Sequence, residues 1–101
     1  MSICIWNCRG LGNQATILEL HNLVRLEAPA LVFLCETKID GKRVRELTAR
    51  LGFEGCYPVS SVGLSGGMAL FWSKEVEVTL NNYSDQHIDV TVVNIGGDKK
   101  K

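Results

Sequence analysis

The sequence predicts an α/β (α+β) unit, a mixed sheet with helices on one face. Three observations lead there. Leu31–Cys35 is an apolar run bounded by polar residues, which reads as a strand buried on both faces. Helical periodicity appears on either side of it, and the last third of the chain alternates apolar and polar residues as antiparallel strands do. The resulting order, βαβαββββ, places helices against a mixed sheet.

Each element has its own signal. Residues 2–6 are short, apolar and partly β-branched, a first strand. Asn7-Cys8-Arg9-Gly10-Leu11-Gly12-Asn13 follows, and two glycines within three residues mark a loop. From Gln14 the spacing turns helical, with Ile17, Leu20, Leu23 and Val24 on one face. Pro29 closes that helix, because it bars the helical conformation at Ala28 and lacks an N–H. After the strand at Leu31–Cys35, Asp40-Gly41 is a turn in which Asp40 is placed to cap the next helix. Val44, Leu47 and Leu51 form that helix's apolar side and Gly52 its C-terminal cap. Residues 53–57 read as a third strand ended by Pro58. Ser65-Gly66-Gly67 reads as a hairpin turn, since a phosphate-binding loop needs a following Lys-Ser/Thr and a helix. Met68–Trp72 is a fourth strand, with Phe71 and Trp72 as core. Residues 75–80 and 88–92 alternate as an antiparallel hairpin, and Gly96-Gly97-Asp98 with three lysines forms a flexible tail. The expected unit is therefore residues 1–95, with 96–101 as the tail.

Composition narrows the function classes. A chain of 101 residues makes one domain, and 46% hydrophobic against 22% charged residues is a globular balance. Eleven basic and eleven acidic residues cancel, so no overall field recruits nucleic acid or an anionic membrane. Cys4, Cys8, Cys35 and Cys56 make no C-x-x-C pair, and His21 and His87 stand apart, which argues against zinc. Four reduced, mostly buried thiols in an intracellular protein, nuclear or cytoplasmic, are the expectation. No apolar run approaches the ~20 residues of a membrane helix, and no secretory signal is expected.

Ligand sites in open α/β sheets lie outside the carboxyl ends of the strands. Glu36 follows one such end and Asn7 closes another. If the two strands are neighbours, a carboxylate and a carboxamide leave the same sheet edge. That pair suits Mg²⁺, which takes hard oxygen ligands, keeps several waters and often uses one or two protein carboxylates plus substrate phosphate. Lys38 can add a charge-assisted contact to phosphate, and Arg9 beside Gly10 and Gly12 can approach a phosphate backbone closely. Equally, Glu36-Thr37-Lys38 reads as a plain polar loop and Arg9 as part of a strand-to-helix turn. His87 near Asp85 has no nucleophile beside it in sequence, and no Ser-His-Asp set assembles.

Four ordered motifs carry a resemblance. Trp6–Asn13, Phe33-Leu34-Cys35-Glu36-Thr37-Lys38, the stretch from Gly63 to Trp72, and Tyr83-Ser84-Asp85-Gln86-His87-Ile88-Asp89-Val90 resemble the N-terminal part of the endonuclease/exonuclease/phosphatase superfamily. Their wording is closest to the endonuclease domains of plant non-LTR (LINE-type) retrotransposons. The resemblance implies a partial four-layer α/β sandwich of the DNase I-like type and phosphoester hydrolysis near bound Mg²⁺, with DNA as partner. It implies Glu36 as the magnesium-binding glutamate and Asn7 as the active-site asparagine near metal and phosphate. Arg9 stands where repair-type relatives often carry Asp or Asn.

The family's later motifs do not occur. No Asp-x-Asn is present, since Asp40, Asp85, Asp89 and Asp98 are followed two residues on by Lys, His, Thr and Lys, and Ser84-Asp85-Gln86 is not Ser-Asp-His. The expectation is a truncated, retroelement-derived nuclease fragment with an incomplete catalytic set, inactive alone. The alternative is a non-catalytic half-domain that binds a partner or a complementing half.

Overall fold

The computed structural model describes residues 2–60, 66–84 and 87–95. The tail expected at 96–101 and the turn residues Ser65 and Asp85 lie outside the described residues. Eight elements follow the predicted order: β1 (Ile3–Asn7), α1 (Gln14–Glu27), β2 (Leu31–Cys35), α2 (Gly41–Leu51), β3 (Gly55–Val59), β4 (Met68–Trp72), β5 (Val76–Tyr83) and β6 (Ile88–Asn94).

Helix boundaries are set by local chemistry. Asn13 caps α1, its side chain accepting from Ala15 N at 2.8 Å. Ala28 ends the helix in a left-handed conformation (φ 45°), the residue next to Pro29 leaving the right-handed region as expected. Asp40 caps α2 by accepting from Arg43 N at 3.0 Å, and Gly52 (φ 83°) closes it by donating its N–H to Ala49 and Thr48 carbonyls.

Four strands form one mixed sheet in the order β1-β2-β4-β3. β1 and β2 are parallel, with Asn7 opposite Cys35, and β4 runs antiparallel to both of its neighbours. Both helices lie on one face. Leu20 of α1, Val44 and Leu47 of α2, Val32 and Leu34 of β2, and Phe71 of β4 share one buried cluster. Phe53 joins it, stacked on Phe71 at 5.4 Å between ring centroids.

The opposite face carries the hairpin. β5 and β6 form a separate two-stranded sheet whose Val78, Val90 and Val92 pack over Leu31, Phe33, Leu70 and Trp72. The layers are therefore helices, four-stranded sheet and hairpin. A bulge at Asn81 shifts the hairpin register, and its Nδ2 donates to Thr91 Oγ1 at 2.9 Å.

Three expectations are corrected. The third strand is shifted towards the C-terminus and contains Pro58 rather than ending before it, paired opposite Ala69. β3 is an edge strand, so a residue without an N–H leaves no interior ladder bond unmade. Trp72 is only half-buried, tilted over Tyr57 at 5.1 Å between centroids. All four thiols are free, but only Cys8 is buried; Cys4 and Cys56 lie on the edge strands β1 and β3, and Cys35 is the last residue of β2. Among the described residues no helix is long and apolar enough to cross a membrane.

Candidate active site

Parallel pairing of β1 with β2 brings two strand ends together. Asn7 is the last residue of β1, and Glu36 is the first beyond β2. Asn7 Nδ2 donates to Glu36 Oε2 at 2.9 Å, a contact between residues 29 positions apart. Both side chains are exposed. The carbonyl oxygen of Asn7 and the second carboxylate oxygen of Glu36 are left as hard donors at one sheet edge.

The backbone around this pair is unusual. Arg9 (φ 55°), Glu36 (φ 55°) and Lys38 (φ 59°) are all left-handed, a region that costs L-residues about 1–2 kcal/mol each. Such conformations persist where the surroundings over-determine them, and here the surroundings are a set of cross-loop hydrogen bonds. Cys8 N donates to Cys35 O at 3.2 Å, and Leu11 N donates to Thr37 O at 2.7 Å. Thr37 N donates to Gly67 O at 3.2 Å, and Lys38 N to Gly66 O at 2.9 Å. The segment after β2 is thus held on one side by the β1–α1 loop and on the other by the residues leading into β4.

Two parts of this frame were not anticipated. Thr37, expected in a polar loop, is fully buried, and its Oγ1 has no hydrogen-bond partner among the described residues. A buried hydroxyl left unpaired costs about 1–3 kcal/mol. Gly66 and Gly67, read as a hairpin turn, also supply the carbonyls that fix Thr37 and Lys38. Their φ angles of 76° and 90° are the conformations that glycine permits there. The Gly-Gly pair was visible in sequence, but its docking on the end of β2 was not.

The basic candidates lie in the same loops. Arg9 and Lys38 are exposed, and neither has a hydrogen-bond or ion-pair partner among the described residues. A Cβ placed on Gly10 would stand 3.8 Å from Lys38 Cδ, so the lysine stem passes beside the β1–α1 loop. Cys8 lies beneath, its Sγ 3.4 Å from Cys35 O and 3.7 Å from Glu36 O. Burial first, and then the neighbouring Cys35 and Glu36, push its thiol above the ordinary value, against the opposing effect of backbone hydrogen bonds. It is a packing group and not a nucleophile.

His87 is brought to a hydroxyl after all. Its Nδ1 lies 2.7 Å from Ser84 Oγ, and Ser84 N donates to His87 O at 2.9 Å. These bonds close the β5–β6 hairpin locally.

The donor set fits a hard cation in part. Among the described residues no group of three or more His, Cys, Asp or Glu side chains gathers. One carboxylate oxygen and one amide oxygen, both open to solvent, match an ion that keeps most of its waters. They do not match zinc, which takes closed sets of nitrogen and sulfur.

Solved structures resemble this fold. A 3′-5′ exonuclease (NExo) from Neisseria meningitidis matches with a TM-score of 0.57 and 23% identity over 79% of this chain and 31% of its own. The same protein, described as a 3′ phosphatase bound to product DNA hairpin, matches at 0.57 with 22% identity over the same shares. An AP endonuclease from Archaeoglobus fulgidus matches with a TM-score of 0.61 and 17% identity over 95% of this chain and 38% of its own. The chain thus spans about a third of the length of these structures. No curated protein matches it. Residues 4–99 match the Endonuclease/Exonuclease/phosphatase family, and the chain belongs to that family.

Proposed function

We propose that this chain is the N-terminal part of a Mg²⁺-dependent endonuclease that hydrolyses DNA phosphodiesters, retroelement-derived and closest to the plant LINE-type enzymes. The observation that carries the reading is the 2.9 Å contact between Asn7 and Glu36 at the carboxyl ends of two parallel strands. Glu36 and the Asn7 carbonyl would hold the ion, which when bound polarises a phosphoryl oxygen and stabilises the leaving oxygen. Asn7 orients the carboxylate by donating to one of its oxygens. Arg9 and Lys38, both unpaired among the described residues, supply positive charge for the flanking phosphates.

Among the described residues no group is placed beside the pair to take a proton from water. Among the described residues the only titratable side chain in direct contact with the Asn7 amide is Glu36 itself. A metal ligand without a general base loses a contribution of roughly 10²–10⁴-fold. The chain alone is therefore expected not to turn over. Supercoiled plasmid incubated with Mg²⁺ tests this: it stays uncut, and nicking that vanishes with Glu36→Ala would overturn the inactive-fragment reading. Mg²⁺ titration followed by NMR tests the ion site separately, with millimolar shifts at Asn7 and Glu36 expected and lost in Glu36→Gln.

One observation favours a second reading, a half-domain that pairs with a complementing half. Ile3 and Ile5 on edge strand β1 are 56% and 73% exposed. They lie in register with Leu31 and Phe33, on the side of the sheet that the hairpin covers elsewhere. Stable association with an added second half that buries them, without nicking, would support this non-catalytic reading.

A further inference from the structure

A cavity of about 250 Å³ opens between α2, β3 and the hairpin, lined by Arg45, Tyr57, Val59, Leu80, Tyr83 and Ile88. We infer that it is a nucleotide subsite, taking one base and its phosphate from a strand whose scissile phosphate lies at Glu36. The inference rests on the nucleic-acid reading above.

Its chemistry is that of a planar aromatic ring carrying negative charge. Leu80, Ile88 and Val59 supply apolar wall, and Tyr57 and Tyr83 supply aromatic rings, the groups on which bases of any sequence stack. Among the described residues Arg45 is the one charged side chain of the lining, exposed and without a partner. A free guanidinium beside an aromatic wall suits bidentate contact to phosphate. The volume lies just below the ~300 Å³ at which pockets for larger ligands begin, which is the scale of a single base.

Its position relates it to Glu36. β3 runs parallel to β1 and β2, and Val59, Met68, Cys35 and Asn7 form one row across the sheet. Val59 of the lining therefore lies at the end of the sheet that holds the Asn7–Glu36 pair. Two strand spacings of ~4.8 Å separate β3 from β2, roughly 10 Å. At ~3.4 Å per stacked nucleotide that is about three nucleotides. Gly66 and Gly67, whose carbonyls accept from Lys38 N and Thr37 N, lie on the β4 side of this path.

Free mononucleotide and a nucleic-acid strand share this chemistry, and two probes separate them. The chain without divalent metal is titrated with thymidine 5′-monophosphate and with a pentathymidylate, reading the Tyr57 and Tyr83 ring resonances and the Gly10, Lys38 and Gly66 amides. Trp72, 5.1 Å from Tyr57, gives a parallel fluorescence signal. Pentathymidylate is expected to shift both sets and to bind at least tenfold tighter than the monophosphate. Equal affinity for the monophosphate, with shifts at the tyrosines alone, would support the subsite with free nucleotide as its ligand and count against the nuclease reading. Arg45→Glu and Tyr83→Ala, both at exposed positions, are each expected to weaken the tyrosine response about tenfold while the melting temperature holds. Pentathymidylate shifts confined to Gly10, Lys38 and Gly66 would overturn the subsite and leave the nuclease reading intact. No shift with either probe would overturn both.

Discussion

Lys38 sits in a left-handed conformation with its side chain in solvent, a combination that folding alone gives no reason to keep. Replacing it by glycine removes a backbone penalty of about 1–2 kcal/mol, partly offset by the ~0.5–1 kcal/mol that glycine's freedom costs. Lys38→Gly should therefore stabilise the chain by about 0.5–1 kcal/mol, a rise of roughly 2–8 °C in Tm, while weakening affinity for short DNA. Thermal melts and a DNA titration on the same samples check both. Cys8 gives a pH dependence of definite sign. Its thiol ionises later in the folded chain than in the unfolded one, because burial disfavours the thiolate. Its contribution is fully present below the ordinary value of 9.0 and is lost as pH rises through the folded value. Urea midpoints should fall above about pH 9, and Cys8→Ala should flatten part of that fall.

At the scale of elements, β3 depends on a glycine for close approach. A Cβ on Gly55 would stand 2.6 Å from Trp72 Cε2, so the indole packs closely against this backbone. Gly55→Ala should displace Trp72 from Tyr57 and destabilise by about 1–3 kcal/mol, seen as a lower urea midpoint and a changed tryptophan emission. The helices were readable for the opposite reason, that their determinants are local. Asp40 and Gly52 act within four residues of the ends they cap. Ile17, Leu20, Val44 and Leu47 repeat at the spacing that a single buried stripe demands. Pro58 was misread because a proline ends an interior strand but not an edge one, and strand order is not a local property.

Across the whole molecule, the hairpin covers only part of one sheet face. Ile3 and Ile5 remain exposed on the strand whose outer edge has no neighbour among the described residues. An apolar row beside a free strand edge invites pairing with another chain. The chain should bind a hydrophobic dye and self-associate at high concentration, and Ile5→Lys should reduce both. A dye-negative monomer that melts cooperatively would count against this.

Sequence by itself determined the element order, the helix caps, the apolar faces and the two strand ends from which Asn7 and Glu36 project. All of these follow from periodicity and capping within a few residues. Tertiary structure alone decided that those ends meet at 2.9 Å, that Thr37 is buried between two loops, and that the hairpin forms its own layer instead of extending the first sheet. It also decided that Gly66 and Gly67 close on Glu36's loop while Arg45 and the tyrosines gather at β3. Each of these depends on which strand pairs with which and in what register. Register is set by packing between distant segments, and no window of the sequence contains it.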